Sequence, residues 1–212
     1  MTAQTQKPKI RDAEATRARI LAAAKVEFAR FGLGGARVDT IAENSGANKR
    51  MIYHYFDSKE NLFREVLEAA YVDIRSAEQA LDLDALAPRD ALEKWIRFTW
   101  DYYLANPEFI TLVNSENLHR AKHLEDSQAI RVISRRFVAS TKDLLDRGVD
   151  DGVFRSDIDP VQLNITIAAI GYYYLTNRFT GSIVFERDFM TPEALEERLA
   201  FNIETIMRLV CV

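Results

Sequence analysis

The feature that most constrains this chain is the helical spacing of its apolar residues, which recurs at intervals of three and four along nearly its whole length. Ile20, Ala24, Phe28 and Phe31 follow this spacing up to Gly32, and similar stripes recur toward the C-terminus. Such spacing places apolar side chains on one face of an α-helix, whereas a half-buried strand needs strict alternation. Prolines and glycines interrupt the pattern where helices are expected to begin and end. The sequence therefore predicts an all-α protein with about nine helices.

Size and composition narrow the class of protein. The 212 residues suffice for one domain or two small ones, and 48% hydrophobic with 28% charged residues is ordinary for a globular protein. The longest stretch without charge, residues 161–177, holds too many polar groups for a membrane span, and residues 1–15 lack the apolar core of a signal peptide. The single cysteine, Cys211, excludes an internal disulfide. We therefore expect a cytoplasmic protein with no membrane partner.

Charge is distributed unevenly along the chain. Residues 1–64 contain 12 Lys and Arg against 7 Asp and Glu, whereas the remaining 148 residues contain 16 against 25. A basic N-terminal segment on an otherwise acidic protein indicates that one end meets a polyanion and the other does not.

A helix-turn-helix pattern lies within this basic segment. Ala42 is a small residue four positions before Gly46, and Ile52 is an apolar residue six positions after it. The small residue allows two helices to cross closely, the glycine accepts the positive φ of the turn, and the isoleucine packs the second helix against the first. Asn48 is the expected N-cap of that second helix. The exposed faces of the helix, from Lys49 onward, are then available for the DNA major groove.

The residues of this segment resemble a known family. The stretch ARILAAAKVEFARFGLGGARVDTIAENSGANKRMIYHYFDSKENLF is similar to the N-terminal domain of the TetR family of bacterial one-component repressors. The similarity includes Phe-x-x-Phe-Gly at the end of helix one, Ile-Ala in helix two, the turn glycine, and Tyr-His-Tyr-Phe-x-Ser-Lys-Glu-x-Leu across helices three and four. It implies an N-terminal three-helix DNA-binding domain followed by a helical ligand-binding and dimerisation domain.

The resemblance implies which residues contact double-stranded operator DNA. The base readers would be Lys49, Arg50 and Tyr53, and the phosphate contacts would be Arg37, Thr40, Tyr55 and Lys59, with Asn48 capping the recognition helix. Met51 departs from the small residue usual at its position, and it either touches a thymine methyl group or packs.

The resemblance also implies how the chain is organised. Residues 1–58, with a flexible tail over residues 1–12, would bind DNA, and residues 59–212 would bind an effector and dimerise. The family's usual mode is repression at a palindromic operator with release by a small molecule. Independently, an uncharged helix after Pro160 and an apolar-striped helix after Pro192 leave more apolar surface than a monomer easily hides. The sequence therefore predicts a homodimer formed through the last two long helices.

The candidate effector residues are aromatic rings with polar groups between them. A wall of this kind would suit a planar or aromatic small molecule, and no cofactor is expected. The candidates are Trp95, Phe98, Trp100, Tyr103, Asn117, Arg120, Tyr173 and Asn177.

The sequence offers a candidate metal site and two alternatives to a ligand-responsive DNA-binding protein. His119 and His123, four residues apart with Glu116 one turn earlier, have a spacing that can hold a divalent metal, but neighbouring cations disfavour it, so no metal site is expected. Nucleotide-binding and hydrolase motifs are absent from the sequence, so an enzyme is not expected. The other alternative is a helical scaffold or small-molecule-binding protein that does not bind DNA.

Overall fold

The computed structural model describes residues 7–212, and side chains from Asp12 onward. Ten α-helices occur in this described part of the chain, with one short 3₁₀ helix at Leu83–Ala85. The helices are α1 (Lys7–Gly35), α2 (Val38–Ser45), α3 (Lys49–Phe56), α4 (Lys59–Gln79), α5 (Pro88–Ala105), α6 (Pro107–Leu118), α7 (Gln128–Asp150), α8 (Pro160–Thr176), α9 (Arg178–Val184) and α10 (Pro192–Val210). The flexible tail predicted over residues 1–12 falls mainly on residues or side chains outside the described part, and it stays a prediction.

The all-α prediction is confirmed, with ten helices described where about nine were expected. The additional helix is α9, which follows α8 after Asn177. Its seven residues make two turns, which is too short for a periodic apolar pattern to reveal it. Among the described residues, strand-like pairing is limited to a single bridge between Phe154 and Cys211. None of the described helices is long and apolar enough to cross a membrane.

The chain divides into two compact units. The first contains Met1–Tyr71 and Thr111–Ser127, and the second contains Val72–Ile110 and Gln128–Val212. Helices α4 and α6 each contribute residues to both units. The prediction that the functional boundary lies between residues 58 and 59 is not tested by this division.

The core of the first unit is formed by α1 and the first turns of α4. Ile20, Ala24 and Phe28 are completely buried, and the Phe28 ring meets the Phe63 ring edge to face at a centroid distance of 5.1 Å. The prediction that Phe31 continues this buried face is wrong, since its side chain is 48% exposed. The reason is that the chain leaves helical geometry at the next residue, Gly32 (φ 64°, ψ 176°).

The core of the second unit joins α5, α7, α8 and α10. Its buried members include Leu92, Leu163 and Ile206. The α7–α8 connection closes tightly over this core: a Cβ atom on Gly148 would lie only 1.9 Å from Cδ2 of Phe154. Any larger residue at position 148 would therefore displace that ring.

Candidate nucleic-acid interface and ligand cavity

The turn between α2 and α3 has the geometry that the sequence predicts. Gly46 adopts the left-handed conformation (φ 65°), and its N–H donates to the α2 carbonyl groups that end the helix. A Cβ atom at this position would meet nothing within 4 Å, so the requirement for glycine comes from the backbone angle and not from crowding. Ala42 and Ile52, on either side of the turn, are 7% and 1% exposed. The predicted packing of the two helices is therefore confirmed.

Helix α3 is held in place by one cap and two buried side chains. The Oδ1 atom of Asn48 accepts a hydrogen bond from the Met51 N–H at 2.9 Å, which confirms the predicted N-cap. Ile52 and Phe56 are buried, so one face of the helix is fixed against the unit. In an eight-residue helix, fixing one face determines which side chains point outward.

The outward face of α3 carries the three predicted base readers. Lys49 and Arg50 are exposed, and the Tyr53 side chain is 40% exposed. His54 is also exposed and lies beside the Tyr55 ring. The face therefore presents positive charge, a hydroxyl group and aromatic edges, the groups that contact bases and phosphates in a major groove.

The remaining predicted DNA contacts belong to the same unit. Arg37 is exposed, and its backbone N–H donates to Oε1 of the buried Glu27 at 2.9 Å, which fixes the entry to α2. Thr40, Tyr55 and Lys59 are half-buried, at places where a polar end can still reach solvent. Direct contact of any of these residues with DNA stays a prediction.

The connection between the end of α3 and the start of α4 is short and is fixed by a local hydrogen bond. The Oγ atom of Ser58 accepts a hydrogen bond from the Asn61 N–H at 3.0 Å, which caps the start of α4. Asp57 between them takes a positive φ of 60°. The recognition helix is therefore joined to α4 by a connection of two residues.

A cavity of about 170 Å³ lies within the second unit. Buried Trp95, Thr141 and Leu144 belong to its wall. The other lining residues are Arg75, Glu78, Gln79, Asp82, Leu83, Asp84, Ile133, Arg136, Phe137 and Ser140. They come from three separate segments of the chain, namely the end of α4 with the 3₁₀ helix that follows it, α5, and α7, and together these segments form one concave surface.

An ion pair between half-buried Arg75 and buried Glu78 lines the cavity. Arg75 forms an ion pair with Glu78, and its guanidinium group lies 3.5 Å from the centroid of the Phe137 ring. Glu78 also accepts a hydrogen bond from the indole N–H of Trp95 at 2.8 Å. Burial raises the pKa of the Glu78 carboxyl group, although Arg75 and the Trp95 hydrogen bond act in the opposite direction.

The raised pKa of Glu78 predicts how stability depends on pH. The Glu78 carboxyl group holds its proton more tightly in the folded protein than in the unfolded chain. Its contribution to the free energy of unfolding is therefore fully present below pH 4.5, the ordinary pKa, and is lost as the pH rises through the raised pKa. Each tenfold difference in proton affinity corresponds to about 1.4 kcal/mol. We expect Glu78→Gln to gain stability relative to the wild type as pH rises above 4.5, measured by urea unfolding from pH 4 to 8. A constant difference across this range would contradict the prediction.

The eight predicted effector residues do not assemble into one site. Trp95 lines the cavity, whereas Trp100 and Tyr103 are buried in packing contacts with Tyr174, Phe109 and Tyr172. Phe98 packs against the core of the second unit and the Tyr102 ring. Tyr173 is 61% exposed, and the Asn177 side chain donates to the Tyr173 carbonyl. The prediction that these residues line one cavity is therefore wrong for all except Trp95, because most of the rings pack in the core.

The two polar candidates near position 120 belong to the other unit. Asn117 is exposed, and its side-chain amide donates to the Val113 carbonyl at 2.9 Å. Arg120 is exposed in a turn and has a positive φ of 60°. Neither lines the cavity of the second unit.

One of the two histidines of the weighed metal site, His123, is paired with an acidic side chain. Residues 119–126 form turns, so the helical spacing assumed for His119 and His123 is wrong. Buried Glu116 accepts hydrogen bonds from the His123 backbone N–H and pairs with its Nδ1 atom, both at 2.7 Å. No group of three or more potential ligands suited to a metal ion occurs among the described residues.

Sequence reasoning missed the polar residues of the cavity. Arg75, Glu78 and Thr141 are not among the predicted effector residues, because the prediction rests on the aromatic clusters of α5 and α8. A usable signal was present: Arg75 and Glu78 lie three positions apart after the apolar stripe of α4, a spacing that allows an ion pair across one helical turn.

Comparisons with known proteins identify both parts of the chain. The family described as "Bacterial regulatory proteins, tetR family" matches residues 20–66. The "Tetracyclin repressor-like, C-terminal domain" matches residues 88–206, which is more than half of the chain.

Individual relatives agree with these matches. The HTH-type transcriptional repressor NicS of Pseudomonas putida is 38% identical over 97% of this chain and 98% of its own length. The HTH-type transcriptional regulator RutR of Escherichia coli is 28% identical over 90% of this chain and 86% of its length. Among solved structures, the transcriptional regulator SCO4942 of Streptomyces coelicolor is 27% identical, with a TM-score of 0.69 over 92% of this chain and 98% of that one. The chain is therefore a DNA-binding transcriptional regulator and not an enzyme, and it belongs to the TetR family.

Proposed function

We propose that this protein is a cytoplasmic dimeric repressor that binds a palindromic operator and is released from it by a small-molecule effector. Residues 1–58 would bind DNA, and residues 59–212 would dimerise and bind the effector. The observation that carries the proposal is the outward face of α3, which presents Lys49, Arg50 and Tyr53 beside a correctly formed turn at Gly46. A basic helix that follows a turn of this geometry is the arrangement by which helix-turn-helix proteins enter a major groove.

The contacts with DNA would divide by chemistry. Lys49 and Arg50 lie in the first turn of the recognition helix, where side chains reach base edges in helix-turn-helix complexes. Both can donate to the O6 and N7 atoms of guanine, and the Tyr53 hydroxyl can contact a base or a phosphate. Phosphate contacts would fix the register of the unit on the duplex. We assign them to Arg37, Thr40, Tyr55 and Lys59, with Asn48 at the helix N-terminus.

The experiment that tests the proposal is selection of bound fragments from the DNA of the source genome. We expect the purified protein to enrich a palindrome whose half-site centres lie one helical turn, about 34–36 Å, or a multiple of it apart. Genes next to the recovered sites would identify what is repressed. Recovery of no enriched sequence would contradict the proposal.

A stripe along α8 supports dimerisation. Val161, Ile165, Ala169 and Tyr173 are spaced by four residues, and all four are exposed in the single chain. Phe201 of α10 is also exposed, at 59%. An uncharged face of this kind on a regular helix is typical of an isologous interface, in which each subunit presents the same surface to the other. We therefore assign the dimer interface to α8 and α10.

The cavity of the second unit is the proposed effector site. Its volume of about 170 Å³ is close to the roughly 150 Å³ of a cavity that holds benzene, so a single-ring molecule fits. The lining charges are nearly balanced, with Arg75 and Arg136 against Glu78, Asp82 and Asp84. Arg75 pairs with Glu78, and Asp84 lies 3.9 Å from Arg147, which is not part of the wall. An uncharged ring with one or two polar substituents would meet Trp95 and the hydroxyl groups of α7 without adding a charge to the cavity.

Two lining residues connect the effector to the DNA-binding helix along the chain. Arg75 and Glu78 lie near the end of α4, which is joined to α3 by a connection of two residues. An effector that binds better to one position of α4 than to another would change DNA affinity by the same ratio, typically about 1–3 kcal/mol of coupling.

Filling the cavity should separate DNA binding from release. Ser140 lies exposed at its edge, so Ser140→Phe adds a ring there without removing a core contact. We expect this variant to bind operator DNA like the wild type but to resist release by the single-ring compounds that act on the wild type. The measurement is fluorescence anisotropy of a labelled duplex against a compound library, with Ser134→Phe, also exposed on α7, as the matched control. Equal release from all three proteins would contradict the assignment of the cavity.

A further inference from the structure

One acidic side chain lies beside a predicted base reader. Asp39, in the first turn of α2, forms an ion pair with Lys49, in the first turn of α3. The Lys49 Nζ atom lies 3.0 Å from Oδ1 and 3.3 Å from Oδ2 of the carboxylate. The two side chains are 64% and 52% exposed, so the pair lies on the surface of the first unit and is not part of its core.

This pairing sets Lys49 apart from the other cations assigned to DNA. Arg37, Arg50 and Lys59 have no carboxylate within ion-pair distance among the side chains that the structure describes. Their charges are available to any phosphate. The charge of Lys49 is instead compensated by a carboxylate before DNA arrives.

A carboxylate on a DNA-binding surface needs a physical reason. It is repelled by every nearby phosphate, so it weakens binding to all duplexes regardless of sequence. An exposed ion pair also adds little to folding stability. The cost in affinity is therefore compensated only if the carboxylate improves the discrimination between sequences.

We infer that Asp39 is a positioning residue that determines specificity by holding Lys49 for a base edge and keeping it from the phosphates. This inference rests on the proposed function, in which Lys49 reads DNA. The lysine ammonium group has three donors, so it can remain bonded to Asp39 while it donates to guanine O6 or N7. A phosphate, unlike a neutral base edge, is negatively charged and is repelled by the Asp39 carboxylate. On an unrelated sequence, engaging a phosphate therefore requires Lys49 to leave Asp39, so non-specific binding loses one cationic contact per subunit.

The test compares Asp39→Asn with Asp39→Glu on two duplexes of equal length, the selected operator and a scrambled sequence. We expect Asp39→Asn to bind the scrambled duplex about tenfold more tightly at 0.1 M salt, because one more phosphate is neutralised per subunit. The slope of log K against log salt should steepen by about 0.9 per subunit, and the ratio of operator to scrambled affinity should fall about tenfold. Asp39→Glu keeps the charge and should stay near the wild type. Asp126→Asn, an exposed acid of the same unit, is the charge-matched control.

A Lys49→Ala background separates positioning from simple charge removal. In that background Asp39→Asn has no lysine to release, so the salt slope should not change. Unchanged binding of Asp39→Asn to the scrambled duplex in the wild-type background, or the same steepening without Lys49, would overturn the inference. Neither result depends on the operator, so the inference can fail while the wild type still selects a palindrome, whereas failure to select one would contradict the proposed function.

Discussion

Replacing Lys49 and Arg50 together by alanine is expected to lower the affinity for the operator by at least about 10³-fold. Each good base contact is worth about 1–3 kcal/mol of discrimination, and a dimer would lose two at each half-site. The fold should be unaffected, because both side chains are exposed at the start of α3 and alanine is the best helix former. Anisotropy with a labelled operator duplex measures the loss, and circular dichroism checks the fold.

The matched control removes the same charge elsewhere. Arg135 and Lys142 are exposed on α7 in the second unit, so their double alanine variant also loses two positive charges per chain. We expect it to retain operator binding to within a few-fold. If the Lys49 and Arg50 variant binds the operator as well as this control does, the recognition helix has been assigned wrongly and a helical scaffold becomes the better interpretation.

Ile165→Glu is expected to separate the dimer into single chains of 24.3 kDa. The side chain is 55% exposed in the single chain and lies in the middle of the uncharged α8 stripe. In a two-fold symmetric interface the substitution occurs once in each subunit, so two glutamates would be buried. Burying unpaired carboxylates there costs several kcal/mol. Light scattering after size exclusion measures the mass.

The loss of the dimer should weaken operator binding through geometry alone. Two linked recognition helices gain about 10²–10⁴ in affinity over one, so Ile165→Glu should lose that factor on the palindrome while binding a half-site duplex like the wild type. Ser134→Glu, an equally charged substitution at an exposed position of α7, should leave both mass and affinity unchanged. A Ile165→Glu protein that remains dimeric would place the interface elsewhere.

The helix-turn-helix was predictable because its determinants are local. Gly46, Asn48 and Ser58 act within three or four residues of their partners, through a backbone angle and two helix caps. Ile52 and Phe56 are separated by one helical turn and face the same core. Interactions between residues this close in the chain can be predicted from the spacing of residue types in the sequence. Phe31 is an exception: it is exposed because the helical geometry ends at the next residue, Gly32.

The cavity could not be read in the same way because it depends on distant residues. Glu78, Trp95 and Phe137 meet across almost sixty positions of chain, and no short spacing records which helices become neighbours. Aromatic residues are equally suited to fill a core and to line a cavity, so their number in α5 and α8 did not distinguish the two. Trp100 and Tyr103 are buried in packing contacts, whereas Trp95 lines the cavity.

The sequence by itself therefore determined the helices, the turn at Gly46 and the outward cations of α3, since each follows from bonds and contacts within one or two helical turns. Only the tertiary structure decided which polar groups are paired: Arg75 with Glu78 in the cavity wall, Glu116 with His123 in a turn, and Asp39 with Lys49 on the surface. The physical reason is that a charge is paired by whichever side chain the packing of apolar faces brings within hydrogen-bonding distance, and that packing is a property of the whole unit.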